Sequence, residues 1–261
     1  MTASPAKEDP DALGAVQRLL QQGEVAKALE TLNGLADTAQ SSVMGQYMRG
    51  VCLRLMGEFA NAESALRQLV EGNPSYGRAF QELGHLYRDA NMPTEALNAY
   101  ATACHLNPGL KASWAAQRDL IGTGSPDRAA QINQRLQWLE SLPPALLASW
   151  DLLHEGKLHK AEQLCRQFMR QNPQHIDGMR VLAEIATRHG VLEDAEFLLE
   201  SAVEFEPEHR QARIDYVQIL SKRQRFQRAV DEAKALLDQA PDNPQLQSLY
   251  AIQCMQLGDY E

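Results

Sequence analysis

His154, Glu155 and His159 come nearest in this chain to a metal-dependent hydrolytic motif, in which two histidines on one helix ligate zinc and a glutamate serves as base. The match fails on spacing. Two helical ligands must stand four residues apart to share a face, whereas these histidines are five apart and Gly156 interrupts the segment between them. Gly122-Thr123-Gly124-Ser125 contains a Gly-x-Gly, but it lacks a preceding strand and a phosphate-binding lysine, so it reads as a loop. Serine, histidine and aspartate are plentiful, yet nothing gathers them around a nucleophile elbow. Cys52, Cys104, Cys165 and Cys254 are far apart with no Cys-x-x-Cys pair, and they read as small buried apolar side chains rather than a disulfide or metal framework. The sequence therefore predicts no catalytic residue, no cofactor site and no metal site.

The elements that would have to position any site announce themselves by an interval. Alanine recurs at Ala28, Ala62, Ala96, Ala130, Ala161, Ala195 and Ala229, at steps of 34, 34, 34, 31, 34 and 34 residues. A proline follows twelve residues after five of them, at Pro74, Pro108, Pro173, Pro207 and Pro241. A fixed period of this length marks stacked supersecondary units, and period outranks any local motif as a guide to architecture.

The most regular unit runs from Gly77 to Leu110 and resembles a tetratricopeptide repeat, with Phe80, Leu83, Gly84, Tyr87, Ala96, Tyr100, Ala103 and Pro108 in the eight signature places. Leu83 and Tyr87 lie four apart on one helical face, opposite Ala96, Tyr100 and Ala103 on the next helix. Gly84 and Ala96 sit where the helices cross, and Pro108 ends the second helix. Residues 43–76, 176–209 and 210–243 keep much of the same pattern, and the unit from about Asp9 is eroded, as a terminal repeat with one neighbour can be.

One interval is irregular. Between Lys111 and Ser141 the usual Leu-Gly pair is replaced by Gln117 and Arg118, Gly122, Gly124 and Pro126 shorten the first helix, and a long second helix over about 127–142 is stopped by Pro143-Pro144. The expected organisation is a disordered terminus at 1–8, a first block of repeats at 9–120, a junction at 121–145 and a second block at 146–261. The expected fold is all-α, a right-handed superhelix or α-solenoid of about seven repeats plus one unpaired C-terminal helix. That last helix, from Pro244, carries Leu246, Leu249, Tyr250, Ile252, Cys254, Met255 and Leu257 around its circumference, and the chain ends at Gly258-Asp259-Tyr260-Glu261 where a partner helix is expected. The sequence reading is therefore of a fragment of a longer polypeptide, or of a helix that docks a partner or a second copy.

Composition narrows the partner. A net charge of −9 disfavours nucleic acid and acidic membranes, both of which are bound through Lys and Arg. No apolar run is long enough to span a bilayer and the first ten residues carry no signal core, so a cytoplasmic location is expected.

The resemblance to tetratricopeptide repeats implies where recognition falls, because the family lines its concave face with the second, fifth, ninth and twelfth residues of each first helix. Those places hold Arg78, Gln81, His85 and Arg88 in the most regular repeat and Met44, Tyr47, Val51 and Arg54 in the one before. They form a partly basic, partly apolar strip suited to a protein or peptide partner with an acidic or amphipathic segment. The corresponding residues of the second block, Asp177, Arg180, Glu184 and Thr187, then Gln211, Ile214, Gln218 and Ser221, are mixed in sign, and Leu146, Trp150 and Leu153 form an apolar stripe at the block boundary. Two known uses of the fold are not matched. The carboxylate clamp of co-chaperone modules needs asparagines and lysines where this chain has Val51, His85, Glu82 and Ala116, and the asparagine ladder of O-linked N-acetylglucosamine transferases is missing.

Residues 144–261 also resemble the repeat module of bacterial tetratricopeptide-sulfotransferase proteins, through Leu164-Cys165-Arg166, the run from Met179 to Ala186, Glu193-Asp194-Ala195-Glu196 and Ala212 to Tyr216. The resemblance implies a job beside an enzyme whose catalytic domain, with its phosphosulfate donor, lies outside residues 1–261. The alternative is a stand-alone adaptor or self-associating scaffold.

Overall fold

A computed structural model describes residues 10–122 and 124–258, with side chains from Leu13 onward. The expected disordered segment at 1–8, Thr123 of the Gly-x-Gly loop and the terminal Asp259-Tyr260-Glu261 lie outside the described residues. Among the described residues there are sixteen helices and no strand. The chain divides into two compact units, Met1–Glu140 and Ser141–Glu261.

The first unit is built from helix pairs α1 (Pro10–Gln21) with α2 (Val25–Asn33), α4 (Val43–Leu55) with α5 (Phe59–Gly72), and α6 (Gly77–Asp89) with α7 (Pro93–Leu106), followed by α8 (Lys111–Ile121) and α9 (Pro126–Ser141). A five-residue helix, α3 (Asp37–Ser41), lies between the first two pairs, where the proline of later repeats is replaced by Gln40. The second unit pairs α10 (Pro144–His154) with α11 (Leu158–Gln171), α12 (Ile176–His189) with α13 (Leu192–Phe205) and α14 (Arg210–Lys222) with α15 (Phe226–Gln239), and continues into α16 (Pro244–Leu257).

Two local rules generate these pairs. The turn inside each pair needs one residue in the left-handed region, and such residues fall at Gly23, Gly57 and Asn91 in the first unit and at Gly156, Gly190 and Gln224 in the second. Glycine adopts that region freely, whereas Asn91 and Gln224 do so against a Cβ clash. The residue after each then donates its N–H back to the helix, as Met92 does to Tyr87 and Arg225 does to Leu220. Between pairs, proline forces its predecessor out of the helical region, so α5, α7, α11, α13 and α15 end two residues before Pro74, Pro108, Pro173, Pro207 and Pro241.

Burial follows the period with one exception. Ala28, Ala62, Ala96, Ala161, Ala195 and Ala229 are fully buried where paired helices cross. Ala130 is exposed, contrary to its place in the series, because α9 starts at Pro126 and so holds Ala130 fifth in its helix, where the other second helices hold their alanine fourth, and α8 and α9 do not cross closely. The close approach elsewhere leaves no room for larger groups: a Cβ at Gly84 would stand 2.6 Å from the Tyr100 ring. In the second unit Leu146, Leu153, Ala161, Cys165, Val181 and Ile185 form one cluster, with Trp150 half-buried against it, and Tyr216, Leu220, Ala229 and Leu236 belong to another. Cys52, Cys104 and Cys165 are buried free thiols, and Cys254 is half-buried. Burial pushes the acidity of the three enclosed thiols down, to a pKa of about 11 for Cys52 and about 12 for Cys104 and Cys165.

Candidate interaction surface

Helices α4 and α6 pack against each other as first helices of successive repeats, so the strip Met44, Tyr47, Val51, Arg54 lies beside Arg78, Gln81, His85, Arg88. Met44 and Tyr47 are half-buried against the cluster of Val16, Ala28, Leu32, Met48 and Cys52. Tyr47 also meets the Tyr76 ring edge-on, with centroids 5.7 Å apart. Burial raises the Tyr47 phenol well above its ordinary pKa, so it stays neutral. Val51 is half-buried.

Arg54 is not a free cation for a partner. Its Nε donates to Glu82 Oε2 and its Nη1 to Asp89 Oδ2, each at 2.8 Å, and its side chain is only 13% exposed. Glu82, at the sixth place of the next repeat, is buried and accepts this charge-assisted bond. The pair ties one repeat to the next from within. Sequence position alone marked Arg54 as a surface cation; the signal for its partner was the acidic residue at the sixth place of α6.

The rest of the strip is ordered by neighbours. Gln81 accepts from the Ser113 hydroxyl of α8 at 3.0 Å. His85 Nδ1 lies 2.6 Å from the Tyr100 hydroxyl. Burial lowers the His85 pKa against the pull of Glu82, so the ring is neutral near pH 7. With Tyr100 donating to Nδ1, the proton of neutral His85 sits on Nε2, where it can serve as a donor. Burial also lifts the Tyr100 phenol to about 12. Arg88 is the most exposed cation of the strip, 49% open and 3.5 Å from Asp89. The surface therefore offers one open guanidinium, a positioned histidine and amide, and apolar side chains from α4.

The second unit repeats the internal tie with other residues. Arg180, buried in α12, donates to Asp177 at 2.6 Å and to Asp215 of α14 at 2.7 Å, and Asp215 again holds the sixth place. Gln211, also expected at the surface, donates to the same Asp215 at 2.9 Å. Gln211, Ile214 and Gln218 line a groove of about 600 Å³ with Leu246, Leu249 and Ile252 of α16. On α16 the apolar residues part company: Leu246 is buried, whereas Ile252, Met255 and Leu257 are exposed.

His154 does not meet His159 at a metal site: its Nδ1 lies 2.8 Å from the Trp150 carbonyl, and His159 contacts Gln163. Among the described residues no group of three or more His, Cys, Asp or Glu is placed to hold a metal. No described helix is long and apolar enough to cross a membrane.

Family models described as tetratricopeptide repeat match residues 13–77 and 56–111 and residues 186–252. No curated protein matches the chain. Similar solved structures include Naa15/Naa10 bound to HypK-THB, at 18% identity, 95% coverage of this chain and a TM-score of 0.45. This chain spans only 38% of that one. A tetratricopeptide repeat protein from Parabacteroides merdae matches at 14% identity, covering 93% of this chain and 97% of that one, with a TM-score of 0.41. The TPR2AB-domain:pHSP90 complex of yeast Sti1 matches at 13% identity, 93% of this chain and 97% of that one, with a TM-score of 0.38.

Proposed function

We propose that this chain, a series of tetratricopeptide repeats, is a protein–protein interaction module that takes an acidic or amphipathic peptide segment across the strip formed by α4 and α6. The observation that carries the reading is the juxtaposition of half-buried Met44, Tyr47 and Val51 with His85 and the open guanidinium of Arg88. Apolar side chains anchor such a segment and Arg88 pairs with a carboxylate, while Arg54 stiffens the platform without touching the ligand. Titration with a fluorescent Glu/Leu amphipathic peptide tests this, comparing the parent with Arg78→Glu/Arg88→Glu. The variant is expected to bind at least about tenfold more weakly with unchanged helicity. Equal affinity sinks the reading.

The resemblance of residues 144–261 to sulfotransferase-linked repeat modules supports a narrower version, in which the module presents acceptor proteins to a sulfotransferase domain of the same polypeptide in the cytoplasm. Reading the gene beyond the Glu261 codon tests it: a phosphate-loop domain supports this version and a stop codon removes it. The exposed Ile252 and Met255 of α16 favour a second reading, a self-associating scaffold. Sedimentation of the parent beside Ile252→Glu/Met255→Glu decides that one, since a monomeric parent excludes it.

A further inference from the structure

Helix α13 carries two sets of acids, and the fold neutralises only one of them. Glu193, Glu196 and Glu200 face the chain entering α15, where Arg223, Arg225 and Arg228 meet them. Arg223 bonds to Glu193 at 2.8 Å and to Glu196, Arg225 lies 3.2 Å from Glu196, and Arg228 lies 2.7 Å from Glu200. The Tyr216 hydroxyl donates to Glu200 and accepts from Arg228, which completes this side. Asp194 and Glu204, together with Glu206 and Glu208 in the following turn, have no ion-pair partner among the described residues.

Asp194 and Glu204 share their stripe with the most exposed aromatic side chain among the described residues. Asp194, Phe197, Ser201 and Glu204 follow one another at spacings of three, four and three, with Phe205 beside Glu204. Phe197 is 68% exposed and Phe205 is 50% exposed. Along one flank runs a groove of about 320 Å³, bordered by Asp194 and Leu198 of α13 and by Leu182 and Ile185 of α12. Its basic side chains do not reach the acids of the ridge: Arg166 is held by Glu162 at 2.7 Å, and His189 stands 3.8 Å from the same glutamate.

We propose that this ridge docks a basic amphipathic helical segment of a partner protein. Phe197 and Phe205 would pack against its apolar residues, and Asp194, Glu204, Glu206 and Glu208 would pair with Lys or Arg on its flanks. Charge selects this occupant. A second copy of the chain would bring the same acids face to face, on a molecule already at net charge −9, and nucleic acid or an anionic lipid surface carries the wrong sign. The surface lies on the second helix of its pair, in the second unit, and it takes a partner of opposite charge to that of the α4–α6 strip.

Anisotropy titrations of the whole chain with a labelled Lys/Leu amphipathic model helix test the proposal, beside a scrambled peptide of the same composition. The parent is expected to prefer the amphipathic order, with affinity falling as salt rises. Phe197→Ser/Phe205→Ser and, separately, Asp194→Lys/Glu204→Lys should each weaken binding at least about tenfold with unchanged thermal melting. Arg78→Glu/Arg88→Glu should leave this binding unchanged, which separates it from the strip. Equal affinity for the scrambled peptide, or for either ridge variant, overturns the proposal. So does concentration-dependent dimerisation of the parent that Phe197→Ser/Phe205→Ser abolishes, because the occupant would then be a second copy.

Discussion

Arg54 Nε lies 2.8 Å from Glu82 Oε2, and the two residues belong to successive repeats. Both side chains are largely withdrawn from water, at 13% and 7% exposure, so each depends on the other for its charge to be tolerated. The carboxylate at the sixth place of α6 thus does for the first unit what Asp215 in α14 does for the second through Arg180.

Removing one partner is expected to cost more than removing both. Arg54→Met strands the Glu82 carboxylate and should destabilise the chain by about 3 kcal/mol in urea denaturation, and pairing it with Glu82→Gln should recover most of that loss. Additive single and double effects would show that the two are not coupled.

Gly84→Ala places a methyl group 2.6 Å from the Tyr100 ring, in a helix crossing with no slack. A loss of roughly 1–3 kcal/mol is expected, partly restored by Tyr100→Leu. Calorimetry of the two variants checks this, and an unaltered melting point for Gly84→Ala would contradict the close crossing.

Gln224 holds a left-handed turn position, φ 58°, that glycine holds elsewhere in the same unit. Gln224→Gly relieves the Cβ clash at a smaller entropic cost, so stability should rise by up to about 1 kcal/mol. Gly190→Ala, at the equivalent turn, should change stability in the opposite direction. Chemical denaturation of both variants reads the two signs.

Burial holds His85 and His154 below the ordinary histidine pKa of 6.5. The folded chain then binds fewer protons than the unfolded chain in the window beneath 6.5, so their contribution is complete above that value and is lost as pH falls through it. The groups facing His85 are Glu82 and Asp89, which oppose the shift, and Arg54 and Arg88, which reinforce it. Melting temperature should drop between about pH 7 and about pH 5, and His85→Gln/His154→Gln should flatten that drop. An equal slope in the variant would assign the acid sensitivity to carboxylates.

Periodicity made the helix pairs legible, since alanine at a helix crossing and proline after a helix each have one mechanical use. Ala130 shows where this stops: α9 starts one residue earlier relative to its alanine than the other second helices, which changes the face of α9 that turns inward, and no alanine count records a phase. The helices that carry the strip were legible, since Met44, Tyr47, Gln81 and His85 lie on neighbouring first helices. Its electrostatics were not, because whether Arg54 is open or committed depends on carboxylates 28 and 35 residues away. Phe197 and Phe205 were invisible for the opposite reason. Exposed phenylalanine and buried phenylalanine look alike in a sequence, and only the packing of α13 separates them.

The distribution of thiols makes the molecule its own reporter. Only the thiolate reacts with alkylating reagents, and Cys52, Cys104 and Cys165 are both enclosed and weakly acidic in the native chain, leaving Cys254 as the accessible handle for a fluorophore. Each enclosed thiol becomes reactive only when its own helix pair opens. Labelling rates at the three sites would therefore time the breathing of individual repeats in each unit, without a single engineered cysteine.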